Sequence, residues 1–329
     1  MRTETNQRSG SGHRDQVFHR KLSRRKLFQT VSTGSVLAGG LSVVPTVRGG
    51  SEHLLAKISP PSVKWKNTYK TGKSGWANDL VEGQQGGLVF VGQTQTEDDF
   101  GNAWIQKLSS SGETQWNKVF DGNHTDLASS VVATANGGYL FCGHTESAGQ
   151  GKGDAWLVKV DQSGNRNWQE TIGSSGEDWA SSVIQSPDTG FLFAGQTELD
   201  GDSGTAWLVK VDGEGNTRWR KRYQTNTSSW FRSVVASSKG GFLGAGASAS
   251  EGNSNGLLVK VDGTGELKWK KIFDSKNEWI REVIEVDDGF VFTGTKHVEG
   301  KERSDAWLAM VNYSGEKQWE KTYANKKQI

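Results

Sequence analysis

The chain has 329 residues, 39 of them Lys or Arg and 37 Asp or Glu, a formal net charge of +2. Residues 1 to 50 hold nine of the basic and two of the acidic residues, which leaves 30 against 35 and a charge near −5 for the remainder. A mildly acidic body without a Lys/Arg cluster excludes electrostatic capture of nucleic acid, which needs a concentrated basic face.

The N-terminal stretch runs from a polar start through Ser23-Arg24-Arg25-Lys26-Leu27-Phe28 into a Gly/Ser/Thr-diluted apolar segment ending near Val47. Gln29, Thr30, Ser32, Thr33 and Ser35 make that segment too polar for a membrane span of about 20 apolar residues. The pattern resembles a twin-arginine export signal, with Arg24 and Arg25 as its hallmark pair. That resemblance implies a body folded in the cytoplasm and exported to an extracytoplasmic location. Residues 1–50 are read as this leader, 51–62 as a linker, 63–323 as the folded body and 324–329 as a tail.

Within the body, Trp65, Trp116, Trp168, Trp219, Trp269 and Trp319 recur at intervals of 50 to 52 residues. The last five each sit four residues after a glycine (Gly112, Gly164, Gly215, Gly265, Gly315) and close a shared phrase, read in one copy as DAWLVKVDQSGNRNW. A period near 50 built of short strands predicts a toroidal all-β propeller, because one such unit cannot bury both its faces and must stack on its neighbours. Repeats are expected at about 72–120, 121–172, 173–223, 224–273 and 274–323, each of four strands. The first strands open with Trp76, Leu127, Trp179, Trp230 and Trp279. The second follow a Gly turn, where positive φ suits a tight hairpin. The second and third are nearly continuous in apolar residues, as fits a sheet covered on both faces. Cys142, the single cysteine, lies in such a strand and reads as a buried inert thiol.

The turn pattern D-x-x-G-x-x-x-W, with Asp161, Asp212 and Asp262 and with Ser109 and Asn312 in the other copies, resembles the repeat of pyrroloquinoline-quinone-type propellers and of the outer-membrane assembly lipoprotein built on it. The resemblance implies a glycine hairpin leading to an inter-blade tryptophan. The cofactor does not carry over, since the glutamine, arginine and metal ligands of the quinone enzymes have no counterpart here, and no cofactor is expected.

VKWKNTY at 63–69 supplies a sixth tryptophan strand without the other three strand types. The preferred reading is five four-stranded blades, with this strand adding to the outer edge of the last blade; an incomplete six-bladed ring is the alternative. The third-strand tryptophans Trp104, Trp156, Trp207 and Trp307 read as inter-blade core. Trp76, Trp179, Trp230 and Trp279 lie beside inter-blade loops, where an exposed ring can stack on a ligand.

The long loops between second and third strands differ among repeats and mark the binding face, carrying Glu97, Asp98, Asp99, Glu198, Asp200 and Asp202. Neither acidic cluster has the ligand set of a calcium loop, so no metal is assigned. On the first strands, Ser129 and Ser181 become Asn78, Arg232 and Arg281 in other repeats, while Ser130, Ser182 and Ser233 become Asp79 and Glu282. If five blades close a ring, Asn78, Asp79, Arg281 and Glu282 meet at the seam, either as a structural salt bridge or as a polar-ligand pocket. A glycosidase would need two carboxylates about 5–9.5 Å apart, and Asp79 with Glu282 is the one pair to nominate. His124, His144 and His297 occupy different repeat positions and form no triad. The sequence therefore favours an exported, monomeric, non-catalytic binding or scaffold propeller with an unknown protein or glycan partner over a carbohydrate-active enzyme or lectin.

Overall fold

Twenty antiparallel strands follow one another in groups of four, each group forming its own sheet with strands in sequence order. The computed structural model describes residues 64–323 except 71, 84–85, 96–100, 121, 200–202, 226, 251–252, 274–276 and 298–303. The expected leader with Arg24 and Arg25, the linker and the tail 324–329 lie outside the described residues, as do Glu97, Asp98, Asp99, Asp200 and Asp202. Blade 1 comprises β1 (Ser74–Glu82), β2 (Leu88–Gln95), β3 (Gly101–Leu108) and β4 (Thr114–Phe120). Blade 2 comprises β5 (Asp126–Ala133), β6 (Tyr139–Thr145), β7 (Asp154–Val160) and β8 (Arg166–Ile172). Blade 3 holds β9 (Asp178–Gln185), β10 (Phe191–Thr197), β11 (Thr205–Val211) and β12 (Thr217–Arg222). Blade 4 holds β13 (Ser229–Ala236), β14 (Phe242–Ser250), β15 (Asn253–Val261) and β16 (Leu267–Phe273), and blade 5 β17 (Trp279–Val286), β18 (Gly289–His297), β19 (Ser304–Asn312) and β20 (Lys317–Tyr323). This is the predicted five-bladed all-β propeller. Among the described residues no helix is long and apolar enough to cross a membrane.

The core lies between blades. Leu140, Cys142 and Leu157 of blade 2 pack with Phe193, Trp207 and Val209 of blade 3. Equivalent clusters join blades 1 and 2, 3 and 4, and 4 and 5. Trp156, Trp207 and Trp307 are buried in these layers, Trp307 completely, whereas Trp104, expected in the inter-blade core, is buried in a separate cluster with Phe90 and Leu108 of blade 1. Each also meets a phenylalanine of its own second strand edge-on, as Phe193 and Trp207 do at 5.3 Å between ring centroids. That geometry sets a positive ring edge against a negative face. Cys142 is fully buried, as read from its apolar strand.

The D-x-x-G-x-x-x-W phrase has a local and a tertiary explanation. Asp161, Asp212, Asp262 and Asn312 each accept, through Oδ1, the backbone N–H groups two and four residues on, which fixes the hairpin between third and fourth strands. Ser109 accepts the Glu113 N–H in the same way. The glycine that follows is left-handed in every copy, as at Gly164 with φ 79°. The tryptophan of the preceding blade then lies on that glycine: a Cβ at Gly164 would stand 2.9 Å from the Trp116 ring. The Trp116 indole N–H donates to Gln162 O at 2.9 Å, and Trp168 and Trp269 make the matching bonds to Gly213 O and Tyr313 O. The 50-residue beat is thus the spacing of a tryptophan and the glycine turn one blade later.

Closure differs from expectation. First strands pack on one another from β1 to β5, β9, β13 and β17, but β17 does not pack in this way against β1. Segment 64–70 does not extend the sheet of blade 5, whose outermost strand remains β20. It lies on blade 1, where Trp65 covers Gly112 and donates to Ser110 O at 3.1 Å. The seat that Trp319 of blade 5 would need on blade 1 is already taken, so the five blades form an arc with an open seam.

Candidate functional site

Every first strand carries a β-bulge at one equivalent position. The register of pairing with the second strand skips Asn78, Ser129, Ser181, Arg232 and Arg281 in the five blades. The cause lies opposite, in a glycine recurring at the middle of each second strand: Gly92, Gly143, Gly195, Gly246 and Gly294. A Cβ on any of them would fall within 2.0 Å of the carbonyl oxygen of Trp76, Leu127, Trp179, Trp230 or Trp279, respectively. Only glycine admits that approach, and the kink it permits re-aims the bulged side chain out of the inter-blade layers. The recurrent second-strand glycine was therefore the sequence signal for the site, and periodicity alone did not reveal it.

The residue after each bulge turns the other way and staples neighbouring blades. Val183 N–H donates to Ser130 Oγ, Val234 N–H to Ser182 Oγ and Val283 N–H to Ser233 Oγ, at 3.2–3.4 Å. At the start of the arc Val131 N–H donates to Asp79 Oδ2 at 3.1 Å, and Ser130 Oγ donates to the same oxygen at 2.8 Å. At the far end Ser233 Oγ donates to Glu282 Oε1. Asp79 and Glu282 are thus acceptors in one repeating hydrogen-bond series. Because β17 does not pack on β1, the expected seam cluster of Asn78, Asp79, Arg281 and Glu282 does not assemble. Asn78 instead donates to Ala128 O in blade 2. The carboxylate pair nominated for glycoside hydrolysis is thereby committed to blade-to-blade contacts at the two ends of the arc.

Arg232, Trp179 and Trp230 do come together. With Ser181, Gln196 and Ser228 they line a cavity of about 360 Å³ between blades 3 and 4 at the inner strands. Trp179 is braced from behind by His144 of blade 2, parallel to it at 3.9 Å between ring centroids. His144, next to the end of β6, is buried and hydrogen-bonded through Nδ1 to Asp178 O. The Trp230 indole nitrogen is buried without a hydrogen-bond partner. One blade further on, Arg281 lies over the Trp279 ring at 4.9 Å. Neither Arg232 nor Arg281 has a hydrogen bond or ion pair among the described residues. Arg232 is solvent-exposed at its bulge; where it borders the cavity, desolvation and then the charge of Arg281 hold its pKa below the ordinary arginine value. The bulged positions thus read neutral and hydrogen-bonding in blades 1 to 3, then cationic in blades 4 and 5. Two exposed guanidinium groups beside aromatic rings, without an ion pair among the described residues, can take an anionic group presented on a flat polar ligand.

Two more expected positions are now located. Trp76, 40% exposed, opens β1 at the free end of the arc, apart from the cavity. Glu198 uses its backbone carbonyl to accept from Ser174 Oγ. Among the described residues no group of three His, Cys, Asp or Glu side chains is placed to hold a metal ion.

No family model and no curated protein matches the chain. Among solved structures it is similar to the WD40 domain of Pan2 from Neurospora crassa, at TM-score 0.52 and 13% identity, over 76% of this chain and 67% of that one. Sqt1 from Chaetomium thermophilum is aligned over 76% of this chain and 72% of its own, at TM-score 0.42 and 11% identity. At such identity the first likeness supports the propeller fold alone.

Proposed function

We propose that this is an exported, non-catalytic, monomeric binding propeller whose inner-strand mouth takes a carboxylate-bearing glycan. The observation that carries the reading is the series of bulges, one per blade, which re-aims one first-strand side chain in each blade and makes it, in two adjacent blades, an arginine without an ion pair among the described residues. Aromatic faces at Trp179 and Trp230 suit the apolar face of a sugar ring, Ser181, Gln196 and Ser228 suit its hydroxyls, and Arg232 with Arg281 suits its carboxylate. The variable loops between second and third strands give the rigid scaffold its room for specificity. Export rests on the twin-arginine pattern at Arg24 and Arg25. The tryptophan-on-glycine contact between blades is what the pyrroloquinoline-quinone-type repeat would lead one to expect.

Titration calorimetry of the full chain with oligogalacturonate and with neutral galactose oligomers tests the ligand. Saturable binding of the uronate alone, weakened by added salt and at least tenfold weaker in Arg232→Ala/Arg281→Ala, is expected. Equal binding of both sugars, or of neither, would overturn the acidic-glycan reading and leave a protein partner on the loop face. For export, a reporter carrying residues 1–62 should remain in the cytoplasm when Arg24 and Arg25 are both replaced by Lys.

A further inference from the structure

Two adjacent blades open with the same unit. Trp230-Phe231-Arg232 in β13 recurs as Trp279-Ile280-Arg281 in β17, whereas the matching stretches of the other blades read Trp76-Ala77-Asn78, Leu127-Ala128-Ser129 and Trp179-Ala180-Ser181. Phe231 and Ile280 are fully buried in the inter-blade layers and anchor each unit. The tryptophan and the arginine on either side of that anchor stand on the other face of the strand, two residues apart and therefore side by side. Arg232 and Arg281 are both exposed, and β13 packs directly on β17, so the two units are neighbours along the arc.

Each unit has the parts of one sugar subsite, a ring for the apolar face of a pyranose and a planar guanidinium for an acidic group beside it. In blade 5 the two parts are already joined, with Arg281 over the Trp279 ring at 4.9 Å and Trp279 37% exposed. A guanidinium lying on a ring keeps its edge free for a bidentate acid. Blade 3 instead offers Trp179 with Ser181, and Gln196 and Ser228 line the cavity beside them. One blade on, the place of Gln196 opposite Trp179 is taken by Ala247 opposite Trp230. The mouth is therefore polarised, with hydroxyl-binding groups toward blade 3 and cations toward blade 5. A single carboxylate would leave one of two neighbouring cations without a counter-charge. The strain between them is felt at Arg232, whose pKa is held down by desolvation and then by the charge of Arg281. A ligand with an acid on each of two successive residues neutralises both. Resting on the acidic-glycan reading above, we propose that the mouth recognises two consecutive acidic sugar residues, one per Trp-x-Arg unit, and so takes a polyuronate in preference to a neutral glycan bearing a single acid.

Titration calorimetry of the full chain with three forms of one oligogalacturonate tests this: every carboxyl free, a single carboxyl free, and all carboxyls methyl-esterified. The free acid should bind at least tenfold tighter than the singly charged form, and added salt should narrow that gap. Arg281→Gln and Trp279→Ala should each bring the free acid down to near the affinity of the singly charged form and leave the latter within about twofold. Both substitutions fall at exposed positions, so unchanged urea midpoints are expected beside them. Equal binding of the free acid and the singly charged form, with none of the ester, would overturn the two-residue reading and leave the acidic-glycan reading standing. Loss of the singly charged form together with the free acid in Arg281→Gln would also overturn it, because the two subsites would then not act separately. Equal binding of all three forms, or of none, would overturn both readings.

Discussion

Ser129 and Ser130 are chemically identical neighbours with opposite structural duties, so replacing each by alanine isolates the staple from the bulge. Ser130 is 4% exposed; its Oγ accepts from Val183 N–H at 3.4 Å and donates to Asp79 Oδ2 at 2.8 Å. Ser130→Ala strands a buried backbone donor in blade 3, at a cost of about 1–3 kcal/mol, and takes one of two donors from the Asp79 carboxylate. Asp79 keeps the Val131 N–H and is only half-buried, so the second loss adds about 0.5–1 kcal/mol. The sum is about 1.5–4 kcal/mol. Ser129 sits at the bulge, half-exposed, and Ser129→Ala should change stability by less than about 0.5 kcal/mol. Urea unfolding followed by tryptophan fluorescence reads both variants. Equal effects of the two substitutions would refute the division of labour between bulge and staple, and with it the account of why Asp79 and Glu282 are present.

Two further outcomes follow from the same geometry. Gly164→Ala meets both a left-handed backbone and the Trp116 ring 2.9 Å away, whereas Gly240→Ala, at φ 89° with nothing within 4 Å, meets the backbone term alone; the first should cost about 2–4 kcal/mol and the second about 1–2 in the same urea assay, and a reversed order would sink the tryptophan-on-glycine explanation of the repeat. Burial raises the Asp154 pKa above its ordinary 3.8, and the nearby Asp178 charge adds to the rise against the Gln150 N–H that opposes it. A group whose folded pKa is raised contributes stability below the unfolded value and loses it as pH climbs through the folded value. Relative to the parent chain, Asp154→Asn should therefore look more favourable at about pH 7 than near pH 4, and a stability difference that does not vary with pH would contradict the assignment.

The sequence by itself determined the repeat, the strand count per blade, the Asx-type hairpins and the burial of Cys142 and the third-strand tryptophans. Those features are set by chain-local chemistry and by a periodicity that repeats wherever the same contact repeats. It also singled out Asn78, Arg232 and Arg281 as departures from the repeat consensus, and set Arg232 beside Trp179 and Trp230 among the site candidates. Only the tertiary structure decided what these departures mean. The bulge that turns Arg232 toward the cavity depends on Gly246 across the sheet, and the partnership of Asp79 with Ser130 depends on how one blade leans on the next. The seam lay further out of reach. Whether Trp65 or Trp319 covers Gly112 is a competition between two identical side chains for one seat, settled by the curvature accumulated over four inter-blade packings. No local pattern encodes that sum.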